Sequence, residues 1–312
     1  MNIGIDVGGT NLAAGFVNEK GIVIGKISVK TNAAEGYEAV INRIAELVKA
    51  LEKEKKVKNR CVGLGIPGII SRDGKSVLSC PNLKWENKPL KADLEALTGQ
   101  NIYLANDATV AGLAENNFGS TKGYKDAVML TIGTGIGGSI ILSGKGVNGA
   151  HGVASEVGHM IVGCNFYDCN CGKNGCLETF SSATALIRLA QKMIAEGQPS
   201  KIMDSAKGDF NAIDAKMVMD AAKEDDLVGK VCFNNMIEHL SIAISNITDI
   251  IDPAIYCIGG GVASAGDFLL NSLKQGVKKQ MTFKKIAMPE IVLATFLNDA
   301  GIIGAASIVE YC

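Results

Sequence analysis

At 312 residues the chain has room for two domains or one large one. With 47% hydrophobic residues, 37 glycines and 5% aromatics it suits a packed α/β enzyme with many tight turns. A net charge of −1 favours neither a nucleic acid nor an anionic membrane as partner. The N-terminal MNIGIDVGGT enters an apolar strand pattern at once, without the basic and apolar regions of a signal peptide. No apolar run approaches the roughly 18 residues that span a bilayer. Nine cysteines without a secretion signal are expected to be reduced thiols, some of them binding metal. These totals predict a soluble, cytoplasmic protein.

Residues 1–17 read as an apolar strand, a turn at Asp6-Val7-Gly8-Gly9-Thr10, and a second strand from Leu12. Gly8 and Gly9 allow backbone conformations that bring N–H groups close to a phosphate, and Asp6 could hold a magnesium ion directly or through water. A plain hairpin turn is the other reading of these residues. D-x-G-G-T resembles the first phosphate motif of the sugar kinase, heat-shock ATPase and actin superfamily, which extends the candidate nucleotide contacts to Asn11. A strand over residues 22–29 follows. Tyr37, Val40, Ile41, Ile44, Leu47, Val48 and Leu51 then recur at helical spacing and predict an amphipathic helix from about 36 to 55. The lysine run 53–58 reads as its solvated end. Residues 61–66 form a short buried strand, with Pro67-Gly68 turning the chain at its tip, where ligands sit in open α/β sheets. Residues 82–85 read as a loop, in which Trp85 is either core or part of a site.

The strand 102–105 ends in Asn106-Asp107-Ala108. Phosphoryl transfer to a hydroxyl needs a carboxylate within hydrogen-bond reach of that hydroxyl. Asp107 meets the requirement; it also reads as the N-cap of the helical pattern that follows. Residues 128–132 form an apolar strand running into Gly133-Thr134-Gly135-Ile136-Gly137-Gly138, and residues 139–142 its partner. This repeats the strand, glycine turn and strand of residues 1–17. Two such hairpins with a candidate base between them suggest a duplicated ribonuclease-H-like domain binding ATP.

The segment 155–178, SEVGHMIVGCNFYDCNCGKNGCLE, gathers Glu156, His159, Cys169, Cys171, Cys176 and Glu178. One imidazole and three thiolates make the ligand set of a closed tetrahedral zinc site, the alternative being a loop of ordinary free cysteines. Glu156 and His159, spaced i, i+3, share a face on a helical turn. Helical patterns follow at 183–195, 214–222 and 231–251, the last ended by Asp252-Pro253. The strand 255–258 delivers Gly259-Gly260-Gly261, either a tight turn into a helix or a nucleotide contact. His151 and His239 read as structural.

E-x-G-H followed by C-x-C-G-x-x-G-C-x-E resembles the ROK family of sugar kinases and sugar-responsive repressors, and the wording CNCGKNGCLET is most similar to its glucokinases. The resemblance covers nearly the whole chain. It implies a two-domain actin-like ATPase fold, one domain running over 1–118 and completed by a C-terminal helix at 299–312, the other over 119–298. It implies ATP-dependent phosphorylation of a hexose, foremost glucose at its 6-hydroxyl, with N-acetylmannosamine or fructose kinases as alternatives. Asp107 would be the base, Asp6 would organise Mg²⁺, and Gly8, Gly9, Thr10, Asn11, Gly133, Thr134 and Gly135 would line the phosphates. Gly259, Gly260 and Gly261 would line the adenosine pocket. Asn82, Asn106, Glu156, His159 and Glu178 would hold the sugar. His159, Cys169, Cys171 and Cys176 would bind Zn²⁺, and the protein would be a homodimer. Thr109 and Ser155 depart from the family pattern, which has Asn and Gly at those places. ROK repressors carry a helix-turn-helix module ahead of the first hairpin; here that hairpin begins at residue 2, which argues against a DNA-binding role.

Overall fold

The computed structural model describes residues 1–55, 61–286 and 288–308. The chain opens with strands β1 (Asn2–Val7), β2 (Asn11–Val17) and β3 (Val23–Lys30), then helix α1 (Tyr37–Lys55) and strand β4 (Cys61–Ile66). Three short strands follow, β5 (Ile69–Ile70), β6 (Val77–Cys80) and β7 (Trp85–Lys88), then α2 (Leu90–Thr98), β8 (Asn101–Asn106) and α3 (Asp107–Phe118). Next come β9 (Ala127–Ile132), β10 (Ile136–Leu142) and β11 (Lys145–Gly146). The remainder is α4 (Glu178–Ser181), α5 (Ala183–Ala195), α6 (Ile202–Ser205), α7 (Ala215–Lys223), α8 (Leu227–Ile251), β12 (Ile255–Gly259), α9 (Asp267–Gln280), β13 (Glu290–Leu293) and α10 (Ala300–Ser307).

Two five-stranded sheets have orders β3-β2-β1-β4-β8 and β11-β10-β9-β12-β13. Numbered within its own set, each sheet is 3-2-1-4-5. The repeat read from the two glycine hairpins is therefore a repeat of sheet topology, as the ribonuclease-H-like expectation requires. A third sheet, β5-β6-β7, was not legible in the sequence. It corrects the loop expected at 82–85: Pro81–Leu83 is a 3₁₀ turn, and Trp85 starts a strand. Trp85 is core, 1% exposed, with its ring edge-on to Tyr37 at 5.1 Å.

The described chain forms two compact units, Met1–Met129 with Ser139–Ser155 and Thr295–Cys312, and Leu130–Gly138 with Glu156–Ala294. In the first, the apolar stripe of α1 joins Ile3, Ile5, Val7, Leu64 and Ile66 in one core. Each such aliphatic side chain contributes about 1.5–3 kcal/mol on full burial. Helix α10 belongs to this unit and lies against β1, β4 and α3. It fits because glycines stand at the crossings. A Cβ on Gly4 would overlap the Ile302 carbonyl, and one on Gly304 the Val110 carbonyl of α3. The last part of the lysine run, 56–58, and of the expected C-terminal helix, 309–312, lie outside the described residues. In the second unit, α8 begins at Leu227, ahead of the expected 231, because Asp226 caps it by accepting from the Gly229 N–H at 3.0 Å. His239 is structural, its ring stacked on Phe180 at 3.8 Å. Among the described residues no helix is long and apolar enough to cross a membrane.

Candidate active site

In the first unit the site is built on the carboxyl edge of three parallel strands. β1 pairs with β4, and β4 with β8, so that Asp6 stands beside Gly65 and Gly65 beside Ala105. At the usual spacing of about 4.8 Å between strands, Asp6 lies about 10 Å from Ala105 along this row. Asp107 follows two residues later as the first residue of α3. Asp6 and the candidate base thus share one edge, the place where parallel sheets bind ligands.

The β1–β2 turn is pinned from a distance. Its Gly8 N–H donates to the Asn11 carbonyl at 2.9 Å, while the Thr31 hydroxyl donates to the Gly8 carbonyl at 2.6 Å. The Thr31 N–H donates to the Thr10 carbonyl at 2.9 Å. Thr31 is fully buried, yet local sequence gives no sign of its role, since its partners are some twenty residues away. Neither Gly8 nor Gly9 occupies the left-handed region. Gly8 is needed because a Cβ would stand 2.8 Å from the Asn11 carbonyl oxygen. Around Gly9 a Cβ would meet only Asn82, at 3.6 Å, so the expected site residue Asn82 does adjoin the first turn.

Asp6 is half-buried, and burial raises its carboxyl above the ordinary range while the Lys26 ammonium pulls it back down. Lys26 also pairs with Asp299 at 2.5 Å, ahead of α10. Gly301 in the first turn of α10 makes room for Asp6, whose Cγ would lie 2.6 Å from a Cβ there. A partly buried carboxylate at a strand end suits a hard cation.

The N-cap of α3 is Asn106, not Asp107. The Asn106 side-chain oxygen accepts from the Ala108 and Thr109 N–H groups at 2.9 and 3.2 Å, and its amide donates to the Gly68 carbonyl at 3.2 Å. Gly68 is in turn packed against Ser79 and Cys80, and the Cys80 thiol donates to the Pro67 carbonyl at 3.2 Å. Segments 67–68, 80–82 and 106–107 are thereby bound together. Burial pushes the Cys80 thiol up, and the nearby Asp107 charge adds to it.

In the second unit, Gly133-Thr134-Gly135 closes on itself through Gly133 N–H to the Gly135 carbonyl at 2.9 Å. The Gly133 and Thr134 carbonyls are held by the start of α5, through the Ala183 N–H at 2.8 Å and the Thr184 hydroxyl at 2.7 Å. In a trans peptide N–H and C=O point opposite ways. The Thr134 and Gly135 N–H groups therefore aim away from α5, the geometry of an anion-binding turn. Gly260, at φ 81°, has no room for a Cβ beside the Ile132 backbone, which places the expected triplet Gly259–Gly261 next to this turn.

Val157–His159 is a 3₁₀ turn capped by Glu156, with the His159 N–H donating to the Glu156 carbonyl at 3.1 Å. Residues i and i+3 eclipse in such a turn, so Glu156 and His159 do share a face. Ser155 sits at φ 70°, where glycine is favoured, which explains what its departure from the family pattern costs. The ligand atoms of His159, Cys169, Cys171 and Cys176 all lie within 4.8 Å of one another. Tetrahedral zinc with bonds of about 2.3 Å to sulfur and 2.05 Å to nitrogen requires sulfur–sulfur edges of about 3.8 Å and sulfur–nitrogen edges of about 3.6 Å. The Cys171–Cys176 sulfurs are 3.6 Å apart, and Cys169 Sγ is 3.6 Å from His159 Nδ1. The donor set and these two edges fit that ion. Burial pushes the Cys169 and Cys176 thiols up, whereas the Lys173 N–H draws Cys171 down. Glu178, first residue of α4, brings Oε1 to 2.9 Å from Cys169 Sγ and 3.9 Å from His159 Nδ1.

Comparison with known proteins places the whole chain. The chain is 37% identical over 309 residues to a glucokinase of Thermotoga maritima, covering 99% of this chain and 96% of that one. It is 34% identical to a glucokinase of Halalkalibacterium halodurans, covering 99% and 94%. The crystal structure of a Streptomyces griseus ROK family glucokinase in complex with glucose and AMPPNP matches with a TM-score of 0.85 at 29% identity, over 98% of both chains. The ROK family model matches residues 2–311, and the chain belongs to the ROK family.

Proposed function

We propose that the protein is an ATP-dependent hexose kinase that phosphorylates glucose at its 6-hydroxyl. The observation that carries this reading is the place of Asp107, first residue of α3 at the carboxyl edge of the first sheet, where its Oδ1 accepts from the Ala108 N–H at 2.8 Å. The kinship with glucokinases supports the choice of substrate. Asp107 accepts the proton of the 6-hydroxyl as its oxygen attacks the terminal phosphorus of ATP, the bond from that phosphorus to the bridging oxygen breaks, and ADP leaves. Glu156, Glu178 and Asn82 accept or donate hydrogen bonds at the other sugar hydroxyls, and the second amide hydrogen of Asn106 adds one more. With Nδ1 turned toward the cysteines, His159 keeps Nε2 for the sugar. Gly8, Gly9, Thr10, Asn11, Gly133, Thr134 and Gly135 would contact the phosphates, and Gly259, Gly260 and Gly261 the adenosine.

His159, Cys169, Cys171 and Cys176 would hold zinc, which supplies the positive charge that keeps three thiolates together and fixes the His159 ring. Asp6 would hold Mg²⁺, which neutralises phosphate charge when bound. We take 1–118 with 299–312 and 119–298 as the functional domains of a cytoplasmic homodimer. ADP release measured with Mg-ATP against a panel of hexoses and N-acetylhexosamines tests the reading. Glucose should be turned over with the highest kcat/KM; preference for N-acetylmannosamine or fructose would move the assignment within the family.

A further inference from the structure

Glu178 touches more than the sugar side of its unit. Its Oε1 faces the knot, at 2.9 Å from Cys169 Sγ, while its Oε2 stands 2.8 Å from the point a Cβ on Gly135 would occupy. One carboxylate therefore fills the space between the four candidate metal ligands and the second phosphate turn. The backbone makes the same connection. Cys176 lies two residues before Glu178, and the Leu177 N–H donates to the Met160 carbonyl at 2.8 Å, so a metal held by His159 and Cys176 fixes the start of α4. Four residues on, Ser182 ends α4 and caps α5. Ala183 and Thr184 then hold the Gly133 and Thr134 carbonyls, which sets where the turn's N–H groups point. Knot, short helix and phosphate turn form one continuous mechanical link.

We propose that Glu178 is a positioning residue for the nucleotide as well as a sugar ligand, coupling the metal knot to the 133–135 turn so that metal retention and nucleotide affinity rise together. The inference rests on the kinase reading. Gly135 acquires a specific reason to lack a side chain: a methyl there would displace the Glu178 carboxylate, the movable end of a flexible side chain, at little cost to the fold.

Coupling between two sites is reciprocal in their equilibrium affinities, so nucleotide must tighten metal by the factor by which metal tightens nucleotide. The zinc affinity of the full-length protein is measured by equilibrium competition with a chromophoric chelator, with and without saturating Mg-AMPPNP, while calorimetry on the same preparation records AMPPNP binding. The expected result is zinc affinity raised by about fivefold or more with AMPPNP, within the usual range of such couplings. In Gly135→Ala, zinc affinity without nucleotide should fall and the gain with AMPPNP should shrink, although no metal ligand has changed. Equal zinc affinities with and without bound AMPPNP would overturn the coupling and leave the kinase reading intact. Absence of AMPPNP binding in calorimetry would overturn both, and the two failures are thus told apart.

Discussion

Neighbouring residues Asn106 and Asp107 separate stability from chemistry, and substituting each in turn exposes the difference. Asp107→Asn retains size and leaves the Asn106 cap in place, with its bonds to Ala108 and Thr109. The stability lost is then chiefly the attraction of a carboxylate to the start of a helix, about 0.3–1 kcal/mol. That corresponds to a fall in Tm of about 4 °C or less. Turnover should drop far more, because a general base is typically worth about 10²- to 10⁴-fold, or roughly 3–5 kcal/mol of barrier. Asn106→Ala reverses the pattern in stability: it removes both capping bonds and the donation to Gly68, costing about 1–3 kcal/mol. Coupled ADP-release kinetics and thermal melting of both variants supply the comparison. If Asp107→Asn kept turnover within about fivefold of the parent, below the least a general base contributes, the assignment of the base would be refuted.

Ser155→Gly should raise stability by up to about 1 kcal/mol, since a left-handed serine costs about 1–2 kcal/mol and glycine returns part of that in chain entropy; a lowered Tm would contradict the strain. Gly304→Ala should cost about 3 kcal/mol, the upper end of overpacking, because a Cβ overlaps the Val110 backbone; denaturant titration measures it. Burial alone would raise the Asp226 carboxyl, but the N–H groups of Gly229 and Lys201 and the Ser200 hydroxyl hold it below its ordinary 3.8. The folded state then binds fewer protons than the unfolded, so this contribution is present above the unfolded pKa and is lost as pH falls through the lower folded one. Asp226→Asn should therefore be less stable than the parent near neutral pH, and the gap should narrow on acidification in urea midpoints read from about pH 6 to about pH 3.

Features carried by local pattern were legible in the sequence. The two glycine hairpins, the Cys and His cluster of residues 159–176 and the 61–66, 102–105 and 183–195 elements all lie in short windows whose periodicity or residue type is diagnostic. Even the Glu156–His159 pair was readable, because its spacing alone puts both side chains on one face. Long-range partners were not readable. Thr31 reaches back to Gly8, and Glu178 reaches Gly135 only because α4 and α5 return to the turn. The capping role was assigned one residue late, since Asn and Asp both cap well and only the register of α3 decides between them. The small β5-β6-β7 sheet escaped because its strands are two to four residues long, too short to show alternation.

As a glucose 6-kinase this chain would move a phosphoryl group from ATP to the 6-hydroxyl of glucose. Phosphorus NMR of zinc-loaded protein with Mg-ATP and glucose identifies both the donor product and the position that receives the group. ADP and glucose 6-phosphate should appear in equal amounts. ATP left unchanged with glucose and with every other hexose tried, or phosphate carried on a different hydroxyl, would contradict it.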